Sequence, residues 1–366
     1  MESRVNEDIA CKTEICTEVD SNLWNNNLKK SNYSTFFQTA EFQNSNLEDI
    51  IPIFINIIDK NNDIVGQLGL RIINTTVMYS SSIFKRFSSI IPKITRRIIW
   101  IYGPIIHSEK PEERKIILIK ILDAVNKVVE DYDVVHIEAQ TAPYDLLIDE
   151  DYKEVFQNYG YSVTDFCSYI ANLSISVNDL WLNISKKTRG DVTRAKRREI
   201  VIKNVESYNE IDDFINLNKE WAKTKGLIIT DPEKEKEMLW KNHKNGIEKI
   251  FLAYKEKKLI SGLRIGVFNK IAYTNFVINS YKDPTNLGGT LLTWNALEWA
   301  KNNDYHIFDF SGGPLDGVDS LLAYKKKWGG KQYIQYDFIK INKKFSYLIY
   351  KKIFKMLKSY HRKRSL

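Results

Sequence analysis

One stretch, from Leu287 to Lys331, constrains the fold more than any other. Leu287, Leu291 and Trp294 form one i, i+4, i+7 row, and Leu292, Ala296 and Trp299 form a second. Two apolar rows at that spacing predict a helix over 287–303 that is covered on most sides. Its start carries Gly288 and Gly289, where free first-turn N–H groups and the helix dipole would favour an anion. The strand His306–Phe310 follows and runs past Asp309 into Ser311-Gly312-Gly313. Tyr324-Lys325-Lys326-Lys327-Trp328-Gly329-Gly330 closes the stretch. A buried helix, then a strand whose carboxyl end meets glycine-rich backbone and lysine, fits an acyl-transfer site. It fits an ordinary αβ unit with a solvated lysine loop equally well.

A chain of 366 residues has room for two such units, and 43% hydrophobic with 27% charged residues is a globular balance. No run approaches the ~18 uninterrupted apolar residues of a membrane span. Met1-Glu2-Ser3-Arg4 lacks the apolar core of an export signal, so the expected location is the cytoplasm. Cys11, Cys16 and Cys167 suggest neither a disulfide framework nor a metal site. The net charge of +8 is unevenly spread: residues 340–366 hold ten Lys/Arg and no acid, which leaves about −2 for the rest.

Taken in order, residues 1–20 show no periodic pattern and read as a mobile or capping lead-in. A helix is expected over 21–30. Ile51–Ile58 and Ile64–Ile73 are β-rich runs around Asp59-Lys60-Asn61-Asn62-Asp63, a hairpin signal. Ile98–Tyr102 is a strand stopped by Gly103-Pro104, and Pro111 with Glu112 and Glu113 opens a helix. Leu118, Ile121, Leu122, Val125 and Val129 give that helix one apolar stripe, and Val134–Ala139 returns as a strand. The second half repeats the order: a hairpin of Ile250–Tyr254 and Leu259–Phe268, the strand Ile271–Ile278, the helix, the strand. Strands, helix and strand occurring twice argue for two related mixed α/β units. The expected boundaries are 1–165, 166–335 and a basic tail over 336–366, which would return towards the first domain, with the link near Tyr161–Val177.

Between the halves lies an unusual helix, capped by Asn178 or Asp179 and running to Arg198. Lys186–Lys203 hold eight basic residues against Asp191 and Glu199, and Lys187, Asp191, Arg194 and Arg198 share one face. Such a helix is either a solvated face or a phosphate-binding surface, since Arg suits bidentate phosphate contacts. In the tail, Phe345, Leu348, Ile349, Ile353, Met356, Leu357 and Tyr360 fall at helical spacing among lysines. That helix could lie on an anionic membrane, add affinity for RNA, or dock on the protein with its lysines in water.

Together these residues resemble the Fem-type aminoacyltransferases, FemAB-like and lipid II glycyltransferase-like, a branch of the GNAT superfamily with two tandem GNAT-like domains. The resemblance covers about Trp24 to Ile341. It rests on Phe36-Phe37-Gln38-Thr39-Ala40-Glu41-Phe42, on Trp100-Ile101-Tyr102-Gly103-Pro104-Ile105, and on Asn158-Tyr159-Gly160-Tyr161. The later pieces are Arg189 with Val192 and Ala195; Leu291, Trp294 and Ala296; Phe308-Asp309-Phe310-Ser311-Gly312-Gly313; and Tyr324-Lys325 with Trp328-Gly329-Gly330. Three positions depart from the family's pattern. No cation follows Phe42 in Gln43-Asn44-Ser45-Asn46-Leu47; Tyr102 and His107 replace an Arg and an acid; and Asn286-Leu287-Gly288-Gly289-Thr290 is a partial pyrophosphate loop.

The resemblance implies an acyltransferase that moves an aminoacyl or acetyl group onto an amine or hydroxyl of a cell-surface polymer or its precursor. The donor would be aminoacyl-tRNA or acyl-CoA, the acceptor sugar- or peptide-linked, and no cofactor or metal would be held permanently. Lys325 and Asp309 are the implied catalytic groups. Lys187, Arg189, Arg194, Arg198, Arg264, Gly288, Gly289 and Tyr324 are the implied binding groups. The alternative is a non-catalytic module that keeps the fold to bind RNA or a nucleotide-sugar. Peripheral contact with the inner membrane face rests on the basic tail.

Overall fold

The computed structural model describes residues 11–44, 50–74, 94–225, 231–315, 319–352 and 355. Its elements form two compact units of the mixed α/β class that the repeated element order predicts. Among the described residues, the first takes those of 11–165 and 335–352, the second those of 166–334 and 355. The chain passes between them within two long strands.

In the first unit, β1 (Lys12–Cys16), β2 (Ile50–Ile58), β3 (Ile64–Ile73), β4 (Arg97–Trp100) and β6 (His136–Gln140) lie side by side in that order. Short β5 (Ile105–Ile106) pairs with β3. The lead-in reading fails at β1, whose residues pair antiparallel with β2 from Lys12↔Ile58 to Cys16↔Phe54. Edge pairing satisfies backbone groups there without any apolar period in the sequence. Residues 1–10 lie outside the described residues. The β2–β3 turn is closed by Asp59, whose carboxylate accepts the N–H groups of Asn61 and Asp63 at 2.9 and 2.8 Å. The predicted helix stripe sits on α3 (Pro111–Asp131), where Leu118, Ile121, Leu122 and Val125 are buried against Ile53, Ile55 and Leu68. α1 (Ser21–Leu28) and α2 (Ala40–Gln43) precede it, and α4 (Glu150–Asn158) follows. Gln38, fully buried, accepts from Gly69 N–H at 2.9 Å and donates to Ile101 C=O at 2.8 Å. The aromatic opening motif is thus spent on bracing β3 and packing Phe36, Phe37 and Phe42 edge to face.

In the second unit the strands run β7 (Ser162–Asn172), β12 (Ile307–Pro314), β11 (Ile271–Asn279), β10 (Lys258–Phe268), β9 (Glu248–Lys255) and β8 (Val201–Asn204). The hairpin turns place Glu256 with Lys257, and Asn269 with Lys270, at positive φ. Two consecutive residues there match the right-handed twist of the flanking strands. α9 (Leu287–Asn302) buries both predicted rows, with Leu291, Leu292, Trp294 and Ala296 in the core and Trp299 packed at its edge. A second core holds Phe214 and Leu217 of α7 (Ile211–Lys225), Leu239 of α8 (Pro232–Lys244) and Leu252 and Ile278 of the sheet. α10 (Asp319–Lys326) follows β12, and β13 (Lys331–Ile341) returns the chain to the first unit, where it pairs with β6 and leads into α11 (344–352).

The basic helix is two helices, not one. Ser176 caps α5 (Val177–Asn183), and Ile184 is extended. Ser185 Oγ then accepts Thr188 N–H at 3.2 Å and starts α6 (Lys186–Arg197). A serine cap competes with helix continuation wherever its backbone turns extended, and the charge pattern carried no sign of it.

Candidate functional site

β11 and β12 run parallel but pair at only three positions, Ile271↔Ile307, Ala272↔Phe308 and Tyr273↔Asp309. Both strands continue beyond that point, β11 against β10 and β12 against β7. They therefore part at their carboxyl ends. Ligands of α/β sheets bind outside such ends, where backbone groups lack a neighbouring strand.

The β12 arm carries a compact polar cluster. Asp309 is fully buried, and its Oδ1 accepts Ser311 N–H at 2.6 Å. That contact holds Ser311 at φ +58°, and the β7–β12 register shifts between Asp309 and Gly312. Gly312 passes so close to β7 that a Cβ would lie 1.4 Å from Cys167 C=O. Lys325, from α10, reaches in and donates to Ser311 Oγ at 2.6 Å and Gly312 C=O at 2.8 Å. Both acceptors are neutral. Burial lowers the Lys325 ammonium to about 8, and the charges of Asp309 and Cys167 only partly oppose the shift. Burial pushes the Cys167 thiol up.

Lys325 and Asp309 lie in one cluster, whereas Tyr324, beside Lys325 in the chain, faces the core. Tyr324 packs on the core with its ring 6.3 Å from Trp328, and Lys327 lies 4.1 Å over that ring. Ser185 N–H donates to Lys327 C=O at 2.9 Å, so α6 starts beside the end of α10. Lys187, Arg194 and Arg198 are exposed on α6, while Thr188, Val192 and Ala195 are buried. Arg189 differs from its neighbours. Its Nη1 donates to Trp181, Leu182 and Ile184 C=O at 3.3, 2.7 and 2.7 Å, capping the carbonyls that α5 leaves open.

The glycines of α9 correct the anion reading. Gly289 N–H already donates to Asn279 Oδ1 at 3.1 Å, and Leu287 N–H to Thr285 Oγ1 at 3.4 Å. A Cβ at Gly288 would lie 2.9 Å from Ser261 Cβ, and one at Gly289 2.5 Å from Asn279 Oδ1. α9 packs closely on the sheet at both glycines, and side chains of the protein take up N–H groups that the sequence left free.

Arg264 lies on the other arm. Its Nε and Nη2 donate to Glu248 Oε1 at 2.8 and 2.6 Å, and Asn275 of β11, two residues past the last β12 pair, donates to the same oxygen at 3.2 Å. Glu235 of α8 sits 3.9 Å from Arg264 Nη1. Glu248, Glu235 and Asn275 escaped the sequence reading. The one available signal was a charge inside the apolar run Leu259–Phe268, Arg264. Among the described residues, no group of His, Cys, Asp and Glu is arranged to ligate a metal, and no helix is long and apolar enough to cross a membrane.

Neither a family model nor a curated protein sequence matches the chain. Solved structures do. FemX superposes with a TM-score of 0.69 at 12% identity, over 92% of this chain and 99% of its own. The L-PGS of Bacillus licheniformis gives 0.55 at 14% identity, over 96% and 100%. A tandem GNAT protein from the clavulanic acid pathway gives 0.53 at 9% identity, over 90% and 98%. Together with the parting of β11 and β12, these likenesses show that the chain has the tandem GNAT fold.

Proposed function

We propose that the chain is an acyltransferase that takes an aminoacyl group from aminoacyl-tRNA. The acceptor is an amine or hydroxyl on a sugar- or peptide-linked precursor of a cell-surface polymer. The observation that carries the reading is Lys325, an ammonium buried on two neutral oxygens at the carboxyl end of β12, where the strands part. In transfer, the acceptor nitrogen or oxygen attacks the acyl carbonyl carbon. The ester bond to the ribose then breaks, and the ribose oxygen leaves with a proton. A buried ammonium opposite the carbonyl oxygen stabilises the oxyanion that forms between these steps. The direct hydrogen-bond acceptors of Lys325, Ser311 Oγ and Gly312 C=O, are neutral, although the charge of Asp309 also acts on it.

The start of α9 favours tRNA over acyl-CoA. Its N–H groups at Leu287 and Gly289 are bonded within the protein, so a pyrophosphate there would have to displace Thr285 and Asn279. Exposed Lys187, Arg194 and Arg198 on α6 suit a phosphate backbone.

Two measurements test the reading. Lys325→Met should lower transfer about 100-fold, the loss of one preorganised charge, with an unchanged circular dichroism spectrum. Retention of a mixed tRNA pool on filters should fall steeply with salt, and reversing Lys187, Arg194 and Arg198 should flatten the slope by roughly 0.9 for each phosphate no longer neutralised. Tight calorimetric binding of acetyl-CoA with negligible tRNA retention would sink the tRNA donor. Salt-sensitive tRNA retention without transfer would favour a non-catalytic binding module.

A further inference from the structure

The Arg264 network beside β11 holds two carboxylates, Glu248 and Glu235, against one guanidinium, with Lys219 adding its attraction at Glu235. Glu248, fully buried, is satisfied: Oε1 accepts Arg264 Nε and Nη2 and Asn275 Nδ2, and Oε2 accepts Asn242 Nδ2 at 3.1 Å. It neutralises the one guanidinium. Glu235 lies farther from Arg264, and burial pushes its carboxyl up against the pull of Arg264 and Lys219. It is 6% exposed; its Oε1 accepts Asn218 Nδ2 at 3.0 Å, and its Oε2 is closed to solvent without any hydrogen-bond partner. Lys236, the next residue, is committed to Asp212 at 2.7 Å. A buried carboxylate oxygen with no donor costs the protein its desolvation, and a protein keeps such an atom where something else supplies the donor.

The orphaned oxygen can accept a hydrogen bond. A ligand made only of donors with one positive charge answers this shortage, and that describes a primary ammonium.

We propose that Glu235, held by Asn218 beside the Arg264–Glu248 pair, binds a protonated primary amine of the reacting partners. The inference rests on the acyltransferase reading and narrows it. An aminoacyl donor carries an α-ammonium, whereas an acetyl group has none. An amine acceptor carries the same chemistry. In either case the ammonium completes the charge of the network and fixes the orientation of the molecule that bears it.

The test is calorimetric titration of the full chain with glycinamide and lysinamide, each beside its N-acetyl counterpart, and with glucosamine as an acceptor-like amine. The wild type should prefer the free-amine amides by at least about tenfold, the value of a hydrogen bond to a charged group. Glu235→Gln keeps the shape and the Asn218 contact and should erase the preference; Glu235→Asp should retain part of it. A preference for glucosamine over the amides assigns the site to the acceptor, and the reverse assigns it to the donor. A wild type without preference, or a preference intact in Glu235→Gln, overturns the proposal. Lys325→Met separates the two readings, because it should lose transfer while keeping the amine preference. Transfer that needs Lys325 in a protein whose amine preference ignores Glu235 leaves acyl transfer standing and removes this seat alone.

Discussion

Lys325 is where residue chemistry and stability pull in opposite directions. Burial lowers its ammonium to about 8 from an ordinary 10.5, so the unfolded chain holds that proton more tightly than the folded one. The cost of the buried charge is present in full below pH 8. It disappears as pH rises from about 8 to about 10.5, because the folded side chain is by then neutral and the unfolded one becomes so. Urea denaturation of wild type and Lys325→Met should show a stability difference that moves towards the wild type across that window. Transfer that requires the ammonium should instead fall around pH 8, where the folded side chain loses its proton; a rate that climbs through pH 8 would make Lys325 a base. Gly312 presents the opposite case, a residue with no side chain and no freedom to gain one. Gly312→Ala would drive a Cβ to 1.4 Å from Cys167 C=O, so two strands must separate. Overpacking usually costs about 1–3 kcal/mol, and backbone on both sides puts this case above that range. The urea midpoint should fall accordingly with little change in slope.

At the scale of elements, period carried most of what the sequence could tell. The two rows of α9 and the stripe of α3 are legible because burial of an apolar face repeats every turn, and the hairpins are legible because their turns need polar or flexible residues. β1 was not, since edge pairing is a backbone matter. Nor was the break between α5 and α6, where one serine outweighs a continuous run of charge. Ser185→Ala tests that account. Losing the cap should cost about 1 kcal/mol, and Ser185→Thr should restore most of it. An undisturbed melting curve would show that the Ser185 N–H bond to Lys327 C=O, not the cap, holds the joint. The site was legible only in part, for a related reason. Lys325, Asp309 and Tyr324 lie close in the chain and announce themselves by motif. Glu235, Glu248 and Arg264 come from three elements, and only the fold decides that one guanidinium faces two carboxylates.

The charge of the whole molecule sits in its tail, ten Lys/Arg over 340–366 against a remainder near −2. α11 shows what part of that tail does. Its inner side is built: Tyr347 and Tyr350 lie 4.9 and 4.8 Å from the buried His136 ring, and Arg97 Nη1 donates to Tyr350 Oη at 3.2 Å. Docking on the first unit, one of the three sequence readings, therefore accounts for that side. Residues 356–366 lie outside the described residues. The outer side is not explained by docking, since Phe345 is 77% exposed and Leu348 58%, beside exposed Lys344, Lys351 and Lys352. A phosphate backbone would use the lysines and leave the apolar pair in water, whereas an anionic bilayer takes both. The full chain should co-sediment with phosphatidylglycerol vesicles and not with phosphatidylcholine. Phe345→Ser with Leu348→Ser should release it, and each of Lys344, Lys351 and Lys352 changed to Gln should weaken binding by about 1 kcal/mol. Because Tyr347 and Tyr350 stay in place, these variants should keep the melting temperature, which a truncation would not. If the lysine changes lower tRNA retention while the Phe345 and Leu348 pair has no effect on vesicles, the outer face serves RNA. If neither set alters either ligand, α11 only covers the sheet.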